Sequence, residues 1–191
     1  MNFLGHCLFS DQTPEALAGS LWPDFGLRPN NNASKVFLAH FDRHQAIDKF
    51  TDQCDELEPM RLKLRPVFRK TSPLVIDVLI DHYLAKHWSS HHPVPLEQFA
   101  SQCYQHLDQF NEFPMSKRFE QTLFWMTKQD WFNAYAQPEG IEQALTGMSR
   151  RIRFETPLAT HAHQACSLVA GYDECFSDYL NSLTQHLNKQ D

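Results

Sequence analysis

The chain has 191 residues, 42% of them apolar and 21% charged, which suits a packed core and argues against intrinsic disorder. Glycine is scarce at 6 residues, against a usual share of about 7%; this disfavours turn-rich β-sandwiches and barrels and nucleotide-binding folds built on glycine loops. The 17 basic and 23 acidic side chains give a net charge of −6, the wrong sign for a general nucleic-acid binder.

No apolar stretch approaches the roughly 20 residues that a bilayer requires. The first ten residues lack the basic start of a signal peptide, so neither secretion nor membrane association is expected. Cysteines 7, 54, 103, 166 and 175 are scattered, with no C-x-x-C spacing. Reduced thiols in a cytoplasmic protein are the simplest reading, and a structural zinc site is not expected.

In chain order, Thr13-Pro14 reads as a helix cap followed by a first-turn proline, opening a helix to Leu21 that Pro23 to Gly26 ends. Residues 28–32 read as loop. Ser34, or an asparagine before it, caps a long helix to about Leu57, with Phe37, Phe41 and Ile47 at helical spacing. Residues 59–70 form a basic helix or turn weakened by Pro66. Ser72-Pro73 restarts a helix to about Ser89. Further helices are predicted near 95–111, 116–129, 138–153 and 157–188. No repeat or linker interrupts the chain, so the expectation is all-α, one helical domain over 1–191.

Two polar constellations stand out. On the helix after Ser34, His40, His44, Asp48 and Asp52 recur every four residues, a stripe that drifts by about 40° per step. Imidazole and carboxylate are ligands of divalent metals; a solvated polar face is the alternative. In the segment 74–88, Asp77 and Asp81 share a face within an apolar run, with His82 beside Asp81. A buried carboxylate needs a partner or a metal. His6 and Asp24 are isolated polar residues in apolar surroundings. Arg61, Lys63, Arg65, Arg69 and Lys70 form a basic patch without an acid, and Arg150, Arg151 and Arg153 a second cluster. Either could be a solvated face or a site for an acidic partner or phosphate.

The segments MNFLGH (1–6), GSLWPDF (19–25), HQAIDKFTD (44–52), VIDVLIDHYLAKHW (75–88) and GMSRRIR (147–153) occur in that order. Together they resemble the bacterial acyl carrier protein phosphodiesterase family, with Gly5 where that family usually has alanine. The resemblance implies a metal-dependent hydrolase that removes 4′-phosphopantetheine from holo acyl carrier protein, using Mn²⁺ or Mg²⁺. It also implies an all-helical fold resembling a degenerate His-Asp (HD) phosphohydrolase. The chain has no His-Asp dipeptide, only the reverse Asp81-His82, so that superfamily's ligand scheme does not transfer position by position.

On this reading His6, Asp24, Asp81 and His82 are the first metal-ligand candidates, and His44 and Asp48 the next. Asp24 is the candidate general base. Arg150 or Arg153 would stabilise phosphoryl charge, and the Arg61–Lys70 patch would dock the acidic carrier protein. Two alternatives are a related phosphohydrolase of a nucleotide or other small phosphorylated substrate, and a helical binding module without activity.

Overall fold

The computed structural model describes residues 1–29 and 33–189; asparagines 30–32 of the expected loop lie outside them. Regular structure among the described residues is entirely helical. It runs α1 (Phe3–Leu8), α2 (Pro14–Leu21), α3 (Lys35–Gln53), α4 (Glu58–Phe68), α5 (Ser72–Lys86), α6 (Leu96–Gln109), α7 (Lys117–Lys128), α8 (Trp131–Ala134), α9 (Pro138–Ser149), α10 (Leu158–His161), α11 (Ala165–Leu168) and α12 (Asp173–Leu187). Short 3-10 turns join several of them, including Trp22–Asp24 after α2. One continuous apolar core extends from Met1 to Leu187.

The expected caps at Thr13 and Ser34 are present, and Ser116 supplies a third that the sequence reading did not name. Thr13 Oγ1 accepts from Ala16 N at 3.2 Å, Ser34 Oγ from Phe37 N at 3.1 Å and Ser116 Oγ from Phe119 N at 3.2 Å. Each satisfies an amide that a helix start leaves unpaired. Helix α5 begins differently from its expected cap. Thr71 precedes it without capping and turns its hydroxyl to Phe68 O at 2.7 Å.

The centre of the molecule is α5. Val75, Ile76, Val78, Leu79, Ile80, Asp81, Leu84 and Ala85 are all buried, on several sides of the helix, as an apolar interior helix requires. Helix α4 lays Met60, Leu64 and Phe68 into the core at four-residue spacing and carries Pro66 inside it. The pair α2–α3 is held close by Gly19, where a Cβ would stand 2.3 Å from the carbonyl oxygen of Phe37. Only a residue without a side chain allows that approach.

Several boundaries depart from the sequence reading. Helix α3 stops at Gln53 because Cys54 turns extended, and α9 stops at Ser149. The expected helix over 157–188 is broken into α10, a 3-10 turn, α11 and α12, with Gly171 at φ 87° before the last. Two helices were not anticipated, α1 and the four-residue α8. Among the described residues no helix is long and apolar enough to cross a membrane.

Candidate active site

Helix α3 presents Phe37, Phe41 and Ile47 to the core, and the same face carries buried His40 and His44. One turn beyond His44, Asp48 remains half-exposed and opens the cluster to water. From the other side α1 inserts His6, which is almost fully buried.

His6 Nε2 lies 3.2 Å from Asp48 Oδ1 and 2.9 Å from the carbonyl oxygen of Met1. His44 Nε2 lies 2.9 Å from Asp48 Oδ2, and His44 Nδ1 lies 2.5 Å from the carbonyl oxygen of Ser20. Both nitrogens of His44 therefore face acceptors, an arrangement that favours the imidazolium. Burial acts to lower its pKa, but the hydrogen bond and charge of Asp48, then Asp24, outweigh it and raise the value. His6 is pushed down to about 3, first by burial and then by the charge of His44. Burial would raise Asp48, but hydrogen bonds from His44 and His6 hold it well below the usual carboxylate range.

Helix α1 is fixed by α5. Asp81 Oδ2 accepts from Leu4 N at 2.8 Å and Asp81 Oδ1 from Gly5 N at 3.1 Å, so a buried carboxylate caps the helix that carries His6. The α-amino group of Met1 bonds Asp77 Oδ1 at 2.5 Å and lies 3.6 Å from Asp48 Oδ1. Burial pushes the Asp81 carboxyl up to about 7, against the pull of the amino group and the two amides.

The candidate ligands thus divide. His6, His44 and Asp48 converge, each offering one donor atom within 4.8 Å of the others. Asp24, on the 3-10 turn after α2, is open to solvent at its edge but hemmed in by protein. That surrounding protein raises its pKa, His44 lowers it and Asp48 raises it further. Asp81 spends both oxygens on α1. His82 points away from the cluster, its Nδ1 2.7 Å from the carbonyl oxygen of Tyr135. Of the first four ligand candidates, only His6 stands among the convergent donors.

The cluster fits a divalent metal. Two imidazoles and a carboxylate are a common donor set, and His44 hands its second nitrogen to a backbone carbonyl, as metal-bound histidines do. His6 Nδ1 is buried without a hydrogen-bond partner.

The arginines divide as well. Arg61 donates to the carbonyls of Cys54 and Thr51, both at 2.6 Å, closing the C-terminal end of α3. Lys63, Arg65, Arg69 and Lys70 are exposed. Arg150 and Arg153 are exposed just beyond α9. Sequence reasoning passed over Arg118, whose guanidinium lies 5.6 Å from the Phe25 ring centroid, beside Asp24 in the chain. It also gave Arg151 no role of its own. Arg151 is exposed as well, yet the protein packed around it and then the charge of Arg118 lower its pKa, so the two cations are neighbours. An isolated arginine after a helix cap gives no signal of this in the sequence.

A family model described as acyl carrier protein phosphodiesterase matches residues 1–183. The "Acyl carrier protein phosphodiesterase" of Pectobacterium atrosepticum is 31% identical over 153 residues, covering 79% of each chain. Proteins of the same name from Escherichia coli O6:H1 and strain K12 are each 31% identical over 159 residues, covering 81% of each chain. No solved structure matches the chain.

Proposed function

The chain belongs to the acyl carrier protein phosphodiesterase family, a family of enzymes, and on that premise we propose that it hydrolyses the phosphodiester of holo acyl carrier protein, releasing 4′-phosphopantetheine in the cytoplasm. The observation that carries this reading is the convergence of His6, His44 and Asp48 at a solvent-open edge. These three residues would hold a divalent ion. The donor set contains two nitrogens, which suits Mn²⁺ better than the oxygen-preferring Mg²⁺. Bound there, the ion would supply Lewis-acid polarisation of the phosphoryl group and lower the pKa of water.

The chain's own residues do the rest. Asp48 receives both imidazoles and fixes their orientation. Ser20 O holds His44 from behind, and Asp81 holds the helix that carries His6. Asp24 stands beside the cluster without being one of its convergent donors, which favours a base that orients water over a ligand. Its raised pKa moves the carboxylate toward the value at which a base works best near neutrality. Arg118, Arg150, Arg151 and Arg153 provide cations for phosphate oxygens. Exposed Lys63, Arg65, Arg69 and Lys70 attract an acidic substrate protein at longer range.

The test is a mass measurement. Holo acyl carrier protein is incubated with the protein and Mn²⁺, and the carrier is weighed before and after. Loss of the phosphopantetheine mass is the expected result. An unchanged carrier, with the protein folded and Mn²⁺ bound, refutes the reading.

A further inference from the structure

Beyond the metal cluster, a groove of about 880 Å³ runs between the α7–α8 corner and α9, within the size range of ligand sites. Phe3, Tyr135, Trp125, Trp131 and Met148 supply much of its apolar lining. Phe3 ties the groove to the candidate site. Its ring stacks on Trp131 at 6.2 Å and on Phe25 at 5.9 Å, and Phe25 follows Asp24 in the chain.

Gly147 makes the groove unusual. Gly19 and Gly140 are helical glycines whose Cβ would strike backbone oxygen, at 2.3 Å and 2.1 Å. At Gly147 a Cβ would meet nothing within 4 Å. A helical glycine costs about 1 kcal/mol relative to alanine, and the fold gives no reason for this one. The space it leaves opens into the groove.

The lining has a direction. Glu139 and Glu142 stand toward the start of α9, and Arg150 and Arg151 just after its end, roughly 17 Å apart along the helix at 1.5 Å per residue. Gln143 and Thr146 lie between and can pair with amides. The arginine end is the end near Arg118, Phe25 and Asp24. A ligand suited to this groove has a phosphate at one end and an uncharged, amide-bearing chain running away from it. The glutamates would repel an anionic group at the far end, so that end suits a neutral terminus.

We infer that this groove seats the pantetheine arm of the carrier protein, with its phosphate toward Arg151 and its thiol end toward Glu139. The inference rests on the proposed reaction, because it is that substrate which carries such an arm. Gly147 is then the gap through which the arm packs against α9.

Two measurements test it. Pantetheine alone is titrated into the wild-type protein while the indole N–H signals are followed by NMR. Trp125 and Trp131 should shift, while buried Trp22 and Trp88 should not. In kinetics, Gly147→Phe fills the groove, and its selectivity for holo acyl carrier protein over bis(p-nitrophenyl) phosphate should fall by roughly tenfold or more, through a raised KM. Unmoved Trp125 and Trp131 signals at millimolar pantetheine overturn the inference, and so does an unchanged selectivity in a folded Gly147→Phe protein. If wild-type protein leaves the carrier intact, the proposed reaction fails, and the pantetheine titration still decides the groove independently.

Discussion

The imidazole rings of His6 and His44 lie 3.7 Å apart between centroids and within 7° of parallel, and both turn Nε2 toward Asp48. Two stacked imidazoles resist being cationic together. Burial and the charge of His44 lower the pKa of His6, while contacts with Asp48 and Ser20 raise that of His44. The pair is thus a donor set whose two rings differ in proton affinity.

Replacing Asp48 tests that set directly. Asp48→Asn removes the shared charge, so Mn²⁺ affinity should fall by more than the roughly 10–100-fold that loss of an outer-shell partner costs. Calorimetric titration after chelator treatment reads this. Wild-type affinity in the variant would remove Asp48 from the site.

The same pair predicts a pH profile for the metal-free protein. Asp48 has a folded pKa below its unfolded value of about 3.9, so its contribution is present above that pH and fades as pH falls. His44 has a raised folded pKa, so its contribution is complete below about 6.5 and is lost as pH rises through the folded value. Denaturant melts in chelator should therefore show the pair stabilising most between those limits. Asp48→Asn should flatten both flanks.

Asp81 separates charge from capping. Its carboxyl, pushed up to about 7, holds its proton longer folded than unfolded, so its contribution declines as pH rises from about 4 to about 7. Asp81→Asn should remove that slope while keeping an acceptor for α1. Asp81→Ala leaves the amides of Leu4 and Gly5 without it and should destabilise by about 2–4 kcal/mol at any pH. Equal melts for the two variants would show that capping is not what Asp81 does.

Asp24 divides base from ligand. Asp24→Asn should retain Mn²⁺ and lower kcat on the order of 10²–10⁴-fold. A rate restored by excess Mn²⁺ would make Asp24 a ligand, and near-wild-type turnover would give it neither role.

Gly19→Ala carries a structural change to the site. The added methyl meets backbone at Phe37, so α2 must move from α3, at an overpacking cost of about 1–3 kcal/mol. Ser20, the next residue, holds His44 Nδ1. Weaker Mn²⁺ binding should accompany the loss of stability, and an unaltered affinity would show that Ser20 does not orient the ring.

Much of this was legible in the sequence, for local reasons. Thr13 and Ser34 announce helices through their own side chains, and the four-residue step from His44 to Asp48 places both on one face. The rest depends on distant partners. Asp81 reads as a metal ligand because a buried carboxylate needs a partner, and the partners proved to be amides 76 and 77 positions away. Arg61 reads as part of a docking patch, yet it is tied to carbonyls at the end of α3. Helix α1 is too short for a periodic signal, and nothing in its own sequence caps it.

That short helix sets when the site can exist. Six residues cannot hold a helix in water, where even 12–15 are marginal, so α1 acquires its shape only after Asp81 reaches it across a long loop. Long-range closures of this kind come late in folding. His6 is therefore synthesised before the donors of α3, and the contact that fixes its helix needs α5 to have been made. Any metal captured earlier would meet two ligands instead of three, and a chain truncated before α5 would carry the first three sequence motifs without the centre they build.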